Sequence, residues 1–230
     1  APARRRDVRA ERAERAIAGV AALVVLALLA LEVRDRDYPF GAGVDFRLLP
    51  REAAGFVRSA PLEPPVFNSW DWGGYLAWAW NGEPRTFLDG RLWDSRSLDE
   101  HDAVIGGGGE AVIERWGFRT VVLQPLFRNS GRLVPGVTWF LTHPGWRLVH
   151  ARDALVFARL PLPGGVTAVP AADAWQVILR HAAVLKEQSD PPLHADYSRA
   201  VAYLQLGDAR AARVAPAGGR AVLGDRKSVV

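Results

Sequence analysis

The chain has 230 residues, of which 49% are hydrophobic and 23% are charged, a composition typical of a globular protein. It contains no cysteine, which excludes disulfide bonds and thiolate metal sites. The formal net charge of +4 comes from residues 1–15 and 225–230, so the body of the chain does not carry the basic face that nucleic-acid binding requires.

The two ends of the chain differ from its body. Residues 1–15 contain six arginines, and we interpret them as a cytoplasmic basic segment. The chain starts Ala-Pro-Ala and contains no methionine, which indicates a fragment of a longer protein. Residues 225–230, DRKSVV, back-translate to the start of a common sequencing adapter, and we interpret them as its translation, with an ordinary basic tail as the alternative.

A long uncharged run follows the basic segment. Residues 16–31 carry no charge and no polar stripe, and sixteen helical residues span about 24 Å. We predict a transmembrane helix over residues 16–36, with a buried core helix as the alternative. Because the arginines precede this helix, the positive-inside rule predicts a cytoplasmic N-terminus and an extracytoplasmic main domain at a bacterial inner membrane.

The centre of the predicted main domain is a stretch with two short apolar runs. Residues 66–68 and 86–88 are bounded by prolines and predict buried strands. Between them Gly73-Gly74 predicts a sharp turn, and the aromatic residues that follow predict a short helix. This order is that of a βαβ unit, in which the two strands are parallel.

Three later segments complete the predicted sheet. Residues 120–124 predict a third parallel strand, and residues 146–150 and 155–160 predict an antiparallel hairpin. We therefore predict a three-layer α/β domain over residues 37–165. Its mixed sheet has about five strands, three of them parallel plus the C-terminal antiparallel hairpin.

The segment from residue 166 to residue 224 is alanine-rich and predicts helices. Its sequence YSRAVAYLQLGDARAARVA resembles part of a tetratricopeptide repeat. A single repeat cannot bury its own apolar face. Either more repeats follow in the intact protein, or these helices pack on the α/β domain.

Four segments resemble a known class of domain: FNSWDWGGYLAW, RTFLDGR, WGFRTVVLQ and GWRLVHARDALVFARL. They are similar to the C-terminal extracytoplasmic domain of multi-pass bacterial membrane proteins described as glycosyltransferases of the protein-mannosyltransferase (GT-C) type, over roughly residues 16–160. The resemblance implies a parent protein that transfers a sugar from a lipid-linked donor. It also implies that the catalytic acidic residues lie between N-terminal membrane helices absent from this sequence, so that the domain is accessory and non-catalytic.

Polar side chains follow the predicted strands. The carboxyl ends of parallel strands meet at one edge of a sheet, where open α/β domains bind ligands. The candidate binding residues at this edge are Asn68, Asp71, Trp72, Asp89, Arg91 and Gln124. One interpretation is a cleft for a sugar, which indole rings beside carboxylates and arginine favour. The other is a scaffold, in which Asp71 caps a helix and Asp89 pairs with Arg91.

No other motif in the sequence predicts a catalytic, cofactor or metal site. The glycines at 106–109 lack the Gly-Lys-Ser/Thr ending of a phosphate loop and predict a flexible hinge. Residues 99–102, Asp-Glu-His-Asp, point in different directions on a helix and predict its solvated, negatively charged start. The five histidines are scattered without the spacing of metal ligands.

These observations leave two main hypotheses. The first is an accessory domain of a membrane glycosyltransferase-like protein, which contacts the membrane part or holds a glycan or a lipid-linked sugar. The alternative is a single-pass membrane-anchored module that binds another protein of the cell envelope. A third hypothesis, a hydrolase that uses Asp71 and Asp89, predicts turnover by the isolated domain.

Overall fold

The computed structural model describes residues 8–34, 47–91, 95–187 and 193–214. The chain divides into two compact units, residues 1–44 and 45–230. The first unit contains helix α1 (Val8–Arg34). The predicted adapter translation at 225–230 lies outside the described residues, as does the beginning of the basic segment.

Helix α1 covers the apolar run for which we predicted a transmembrane helix. Within the part of the chain that the structure describes, no helix is both long enough and apolar enough to cross a membrane. This finding contradicts the transmembrane helix predicted over residues 16–36. The physical reason is the length of the uncharged run within α1. Its sixteen residues rise only about 24 Å, whereas the hydrocarbon core of a membrane is about 30 Å thick.

The second unit is a mixed α/β domain. Its described helices are α2 (Arg51–Ser59), α3 (Trp70–Ala79), α4 (Ser95–Ile105), α5 (Glu110–Trp116), α6 (Pro135–Thr142), α7 (Ala171–Lys186), α8 (Ala195–Gln205) and α9 (Ala209–Val214). Its described strands are β1 (Val66–Asn68), β2 (Thr120–Leu123), β3 (Trp146–Ala151) and β4 (Leu155–Arg159).

The described strands form one mixed sheet in the order β1-β2-β4-β3. β1 runs parallel to β2, with Phe67 opposite Val121. β4 runs antiparallel to both β2 and β3, so β4 lies inside the sheet and β3 lies at its edge. The predicted hairpin is therefore present, but the prediction of about five strands, three of them parallel, is wrong: the described sheet has four strands and one parallel pair.

Helices cover both faces of the sheet. Successive strand residues point to opposite faces, so Val121 and Phe157 join one core with residues of α4 to α8. Val122 and Val156 join the other core, with residues of α2 and α3. The domain consequently has three layers.

Residues 86–88 do not form the predicted second parallel strand. The backbone N–H of Phe87 donates to Oδ1 of Asn68 at 2.8 Å, and Nδ2 of Asn68 donates to the carbonyl oxygen of Leu88 at 2.8 Å. The side chain of Asn68 thus takes the hydrogen bonds that a backbone ladder would make, and the segment packs beside β1 without extending the sheet.

Gly73 and Gly74 lie inside α3, and not in the sharp turn that we predicted. A Cβ atom at Gly73 would lie 2.0 Å from the carbonyl oxygen of Leu88, whereas a Cβ atom at Gly74 would meet nothing within 4 Å. Gly73 is therefore needed for the close approach of α3 to the segment after residue 86.

The C-terminal helices pack on the sheet. Val177 and Ile178 of α7 and Ala202 of α8 belong to the same buried core as residues of β2 and β4. The hydroxyl of Ser198 donates to the carbonyl oxygen of Gly131 at 2.7 Å. Of the two arrangements left open for this segment, packing on the α/β domain is the one that the described residues adopt.

Candidate functional site

A cleft of about 640 Å³ lies beyond the carboxyl ends of the parallel strands β1 and β2. The chain after β1 enters α3, the chain after β2 forms the loop 124–129, and α4 supplies the third wall. Its principal lining side chains are Trp70, Asp71, His101, Asp102, Gln124 and Arg128. This is the edge of the sheet where open α/β domains bind ligands.

Asp71 and Gln124, which follow the two parallel strands, both retain hydrogen-bonding capacity. Neither side chain makes a hydrogen bond or an ion pair with another described residue. Gln124 is only 7% exposed, yet no fully buried side-chain nitrogen or oxygen in the described part of the chain lacks a partner. The carboxamide of Gln124 must therefore reach the open space of the cleft.

Ser69 fixes the position of both strand ends. Its backbone N–H donates to the carbonyl oxygen of Val122 at 3.0 Å, and its hydroxyl oxygen accepts the backbone N–H of Gln124 at 2.9 Å. Ser69 is fully buried, so these bonds lie in the domain interior. These hydrogen bonds fix the backbone just after each strand, and Asp71 and Gln124 consequently line the same cleft.

His101 closes the cleft beside the start of α3. The backbone N–H of Trp70 donates to Nε2 of His101 at 3.1 Å, so Nε2 is unprotonated. Nδ1 lies 3.1 Å from Oδ1 of Asp102 and carries the proton that it donates to that carboxylate. Burial lowers the pKa of His101, although Asp102 and Asp71 act to raise it. The imidazole is therefore neutral near pH 7, and its only lone pair is already used by the Trp70 amide.

Trp70 supplies an aromatic wall with a fixed orientation. Its Nε1–H donates to the carbonyl oxygen of Asp89 at 3.1 Å, and its side chain is partly exposed in the cleft. Because both its backbone and its indole nitrogen are hydrogen-bonded, the ring is held before any ligand arrives. An indole ring in a fixed orientation can pack against an apolar face of a ligand, while the polar groups beside it form hydrogen bonds with the ligand's polar atoms.

The structure separates the predicted site residues into two groups. Asp71 and Gln124 line the cleft together. Asn68 is fully buried, and its carboxamide is used by the backbone of residues 69, 87 and 88. Trp72 is 4% exposed, donates its indole N–H to the carbonyl oxygen of Leu48 and does not line this cleft.

Asp89 and Arg91 lie outside the cleft walls and bind each other. Nε of Arg91 donates to Oδ1 of Asp89 at 3.0 Å, and the backbone N–H of Arg91 donates to the same oxygen at 3.0 Å. These hydrogen bonds with Arg91 hold the pKa of Asp89 below its ordinary value. The pair fixes the turn after residue 88, which is the scaffold role considered for it.

Sequence reasoning missed His101, Asp102 and Arg128 as cleft residues. The segment 99–102 lies in the middle of α4 and not at a solvated helix start, and Glu100 is buried in a cluster with Arg115 and Trp116. Arg128 belongs to the loop that follows β2. The usable signal was its position, because that loop continues from Gln124 at the carboxyl end of a predicted strand.

The described part of the chain was searched for groups of side chains that could hold a metal ion. No group of three or more His, Asp or Glu side chains within the described ranges is arranged to hold a metal ion. The fold and the site together define an α/β domain with a preformed polar cleft at the end of its parallel strands. Comparisons with protein-family models, with curated proteins and with solved structures return no match.

Proposed function

We propose that this chain is a non-catalytic saccharide-binding domain, accessory to a membrane glycosyltransferase-like protein. The observation that carries the proposal is the pair of Asp71 and Gln124, which share one cleft and make no hydrogen bond to the described protein. A carboxylate accepts hydrogen bonds from two or more hydroxyl groups, and a carboxamide both donates and accepts hydrogen bonds. Together they match the dense hydroxyl groups of a sugar.

The size and aromatic content of the cleft support the same ligand class. A volume of about 640 Å³ lies within the range of small-molecule sites and accommodates one or two sugar rings. Trp70 and Phe127 line it, and their rings offer apolar surfaces to the C–H face of a pyranose. Arg128 adds a cationic group at the same wall.

Binding is favoured over hydrolysis by the state of the neighbouring groups. A hydrolase needs two carboxylates in defined roles, or a base with a free lone pair. Asp89 is paired with Arg91 away from the cleft, and Nε2 of His101 accepts a hydrogen bond from the Trp70 amide. Asp102, the other carboxylate that lines the cleft, accepts a hydrogen bond from Nδ1 of His101. Asp71 is thus left without the partner that the hydrolase hypothesis assigns to it.

The resemblance to the C-terminal domains of GT-C-type proteins supports the proposed context. In that context the domain lies outside the cytoplasm, next to the membrane part of its parent protein, and holds a glycan or the sugar of a lipid-linked donor. The position of the cleft supports the binding role, and the resemblance alone supports the parent protein and the location.

The proposal is tested by titrating the 230-residue chain with glucose, mannose, galactose and N-acetylglucosamine, followed by tryptophan fluorescence. We expect saturable binding of at least one sugar. Asp71→Asn should weaken it at least about tenfold, because a hydrogen bond to a charged group contributes about 1.5–3 kcal/mol. Gln124→Ala should weaken it about fivefold by the loss of a neutral hydrogen bond.

Asp99→Asn is the matched control. Asp99 is an exposed carboxylate on α4 that does not line the cleft, so its variant should bind sugar as the wild type does. Circular dichroism serves to check that each variant is folded. Equal losses in Asp71→Asn and Asp99→Asn, or a wild type that binds none of the four sugars, would overturn the proposal.

A further inference from the structure

A second, smaller cavity adjoins the cleft. Its volume is about 20 Å³, and it shares Asp71, Gln124 and Arg128 with the cleft as lining residues. The shared residues therefore form a partition between an outer space and an inner one. Asp71 and Gln124, the two groups without a described partner, belong to both.

The walls of the inner cavity are mainly apolar. Three leucines and the ring of Trp72 line it: Leu48, Leu126 and Leu185. His181 is its remaining polar neighbour. Nε2 of His181 lies 2.9 Å from the carbonyl oxygen of Asp153 and donates to it, and burial lowers the pKa of His181 to about 4. The cavity consequently has no charge on the side away from the cleft.

The size and the lining of the cavity select a small apolar group. About 20 Å³ is enough for one water molecule or one methyl group and for little more. A buried water makes two to four hydrogen bonds, whereas leucine side chains offer none. A ligand that places a methyl group against the leucines and its polar atoms against Asp71 and Gln124 matches this lining.

We propose that the cleft selects an N-acetylated amino sugar, with the acetamido methyl group in the inner cavity. This inference rests on the proposed saccharide-binding function. At the partition, the acetamido N–H donates to the carboxylate of Asp71, and the acetamido oxygen accepts from the carboxamide of Gln124. One ligand group thus satisfies both unpartnered side chains and fills the apolar space behind them.

The test compares sugars that differ only at the acetamido position. The 230-residue chain is titrated with glucose, glucosamine, N-acetylglucosamine and N-propanoylglucosamine. We expect N-acetylglucosamine to bind about tenfold tighter than glucose, from one buried methyl group and one additional hydrogen bond. The propanoyl derivative should bind more weakly than the acetyl one, because its extra methylene has no room.

A pair of variants tests the cavity itself. Leu48→Phe enlarges a lining side chain and should reduce the ratio of the N-acetylglucosamine and glucose affinities from about ten to about one. Leu49→Phe, in the same turn but packed against the other core, should leave that ratio unchanged. The ligand series needs no variant, so it decides the question even when Leu48→Phe does not fold.

The outcomes separate this inference from the proposed function. If none of the sugars binds, both are overturned. If glucose and N-acetylglucosamine bind equally well, or if the propanoyl derivative binds as tightly as the acetyl one, saccharide binding stands and the N-acetyl selectivity is overturned. A folded Leu48→Phe variant that keeps the tenfold ratio would also overturn the selectivity.

Discussion

Two carboxamides at the ends of neighbouring strands have opposite roles in this domain. Asn68 ends β1, is fully buried, and makes three hydrogen bonds with backbone groups. Gln124 follows β2, is nearly as buried, and makes none with its side chain among the described residues. The side-chain chemistry is the same, so the difference lies in whether the protein itself supplies the partners.

This contrast predicts opposite effects on stability. Asn68→Ala should lower the free energy of unfolding by about 3 kcal/mol, since it removes three hydrogen bonds and leaves the Phe87 N–H and the Leu88 carbonyl oxygen without these partners. Gln124→Ala, the matched control, should change it by less than about 1 kcal/mol. Urea denaturation measures both. A Gln124→Ala variant destabilised as much as Asn68→Ala would show that Gln124 also belongs to the scaffold.

The sequence allowed Asp71 and Gln124 to be placed near each other, because each follows a strand whose apolar run was recognisable. It did not reveal which polar residues the protein would use internally. Asn68, Asp89 and Arg91 are also polar residues at or just after predicted strands, yet Asn68 bonds to backbone groups and Asp89 and Arg91 bond to each other. Only the three-dimensional positions of the backbone around residues 87–91 distinguish the two groups.

Helix α3 is the element that couples the scaffold to the cleft. Its first residues, Trp70 and Asp71, line the cleft, and its first N–H group is bound by His101 from α4. Gly73, one turn later, touches the segment that Asn68 holds beside β1. The position of the cleft wall therefore depends on how closely α3 can approach residues 88 and 89.

The two adjacent glycines of α3 provide a direct test of this contact. Gly73→Ala should destabilise the protein by about 3 kcal/mol, because the new Cβ would lie 2.0 Å from the Leu88 carbonyl oxygen and 2.5 Å from the Asp89 Cα atom. Gly74→Ala should stabilise it by about 0.5–1 kcal/mol through helix propensity alone. Thermal unfolding distinguishes the two. A tolerated Gly73→Ala would contradict the close packing.

Apolar runs in the sequence correctly predicted β1, β2 and the hairpin of β3 and β4. The prediction failed at residues 86–88, where a similar apolar run is held by a side chain and not by a strand. It failed at Gly73 and Gly74 because a glycine pair allows a turn but does not require one. In both cases a tertiary contact of Asn68 or Leu88 overrides the local pattern.

The parallel strands β1 and β2 and the C-terminal helices α7 and α8 share one buried core. Residues of α7 and α8 pack with β2 and β4, so the described C-terminal helices contribute to the same interior as the strands that end at the cleft. Leu185 of α7 lines the inner cavity, and Gln124 lies at its entrance. The alanine-rich sequence predicted helices in this segment, and α7, α8 and α9 are helical. No local motif indicated that α7 and α8 would pack on the sheet.

Saccharide binding in the cleft is tested most directly by the side-chain amide spectrum of the ¹⁵N-labelled chain during titration with glucose and, separately, with N-acetylglucosamine. The Gln124 side-chain resonance is assigned by its loss in Gln124→Ala, and that of Asn68 serves as the internal reference. We predict that at least one sugar shifts the Gln124 amide and the Trp70 indole saturably, with one affinity, while the Asn68 amide stays in place. A Gln124 amide that neither sugar moves, or one that moves no more than that of Asn68, would contradict a saccharide-binding cleft at the ends of β1 and β2.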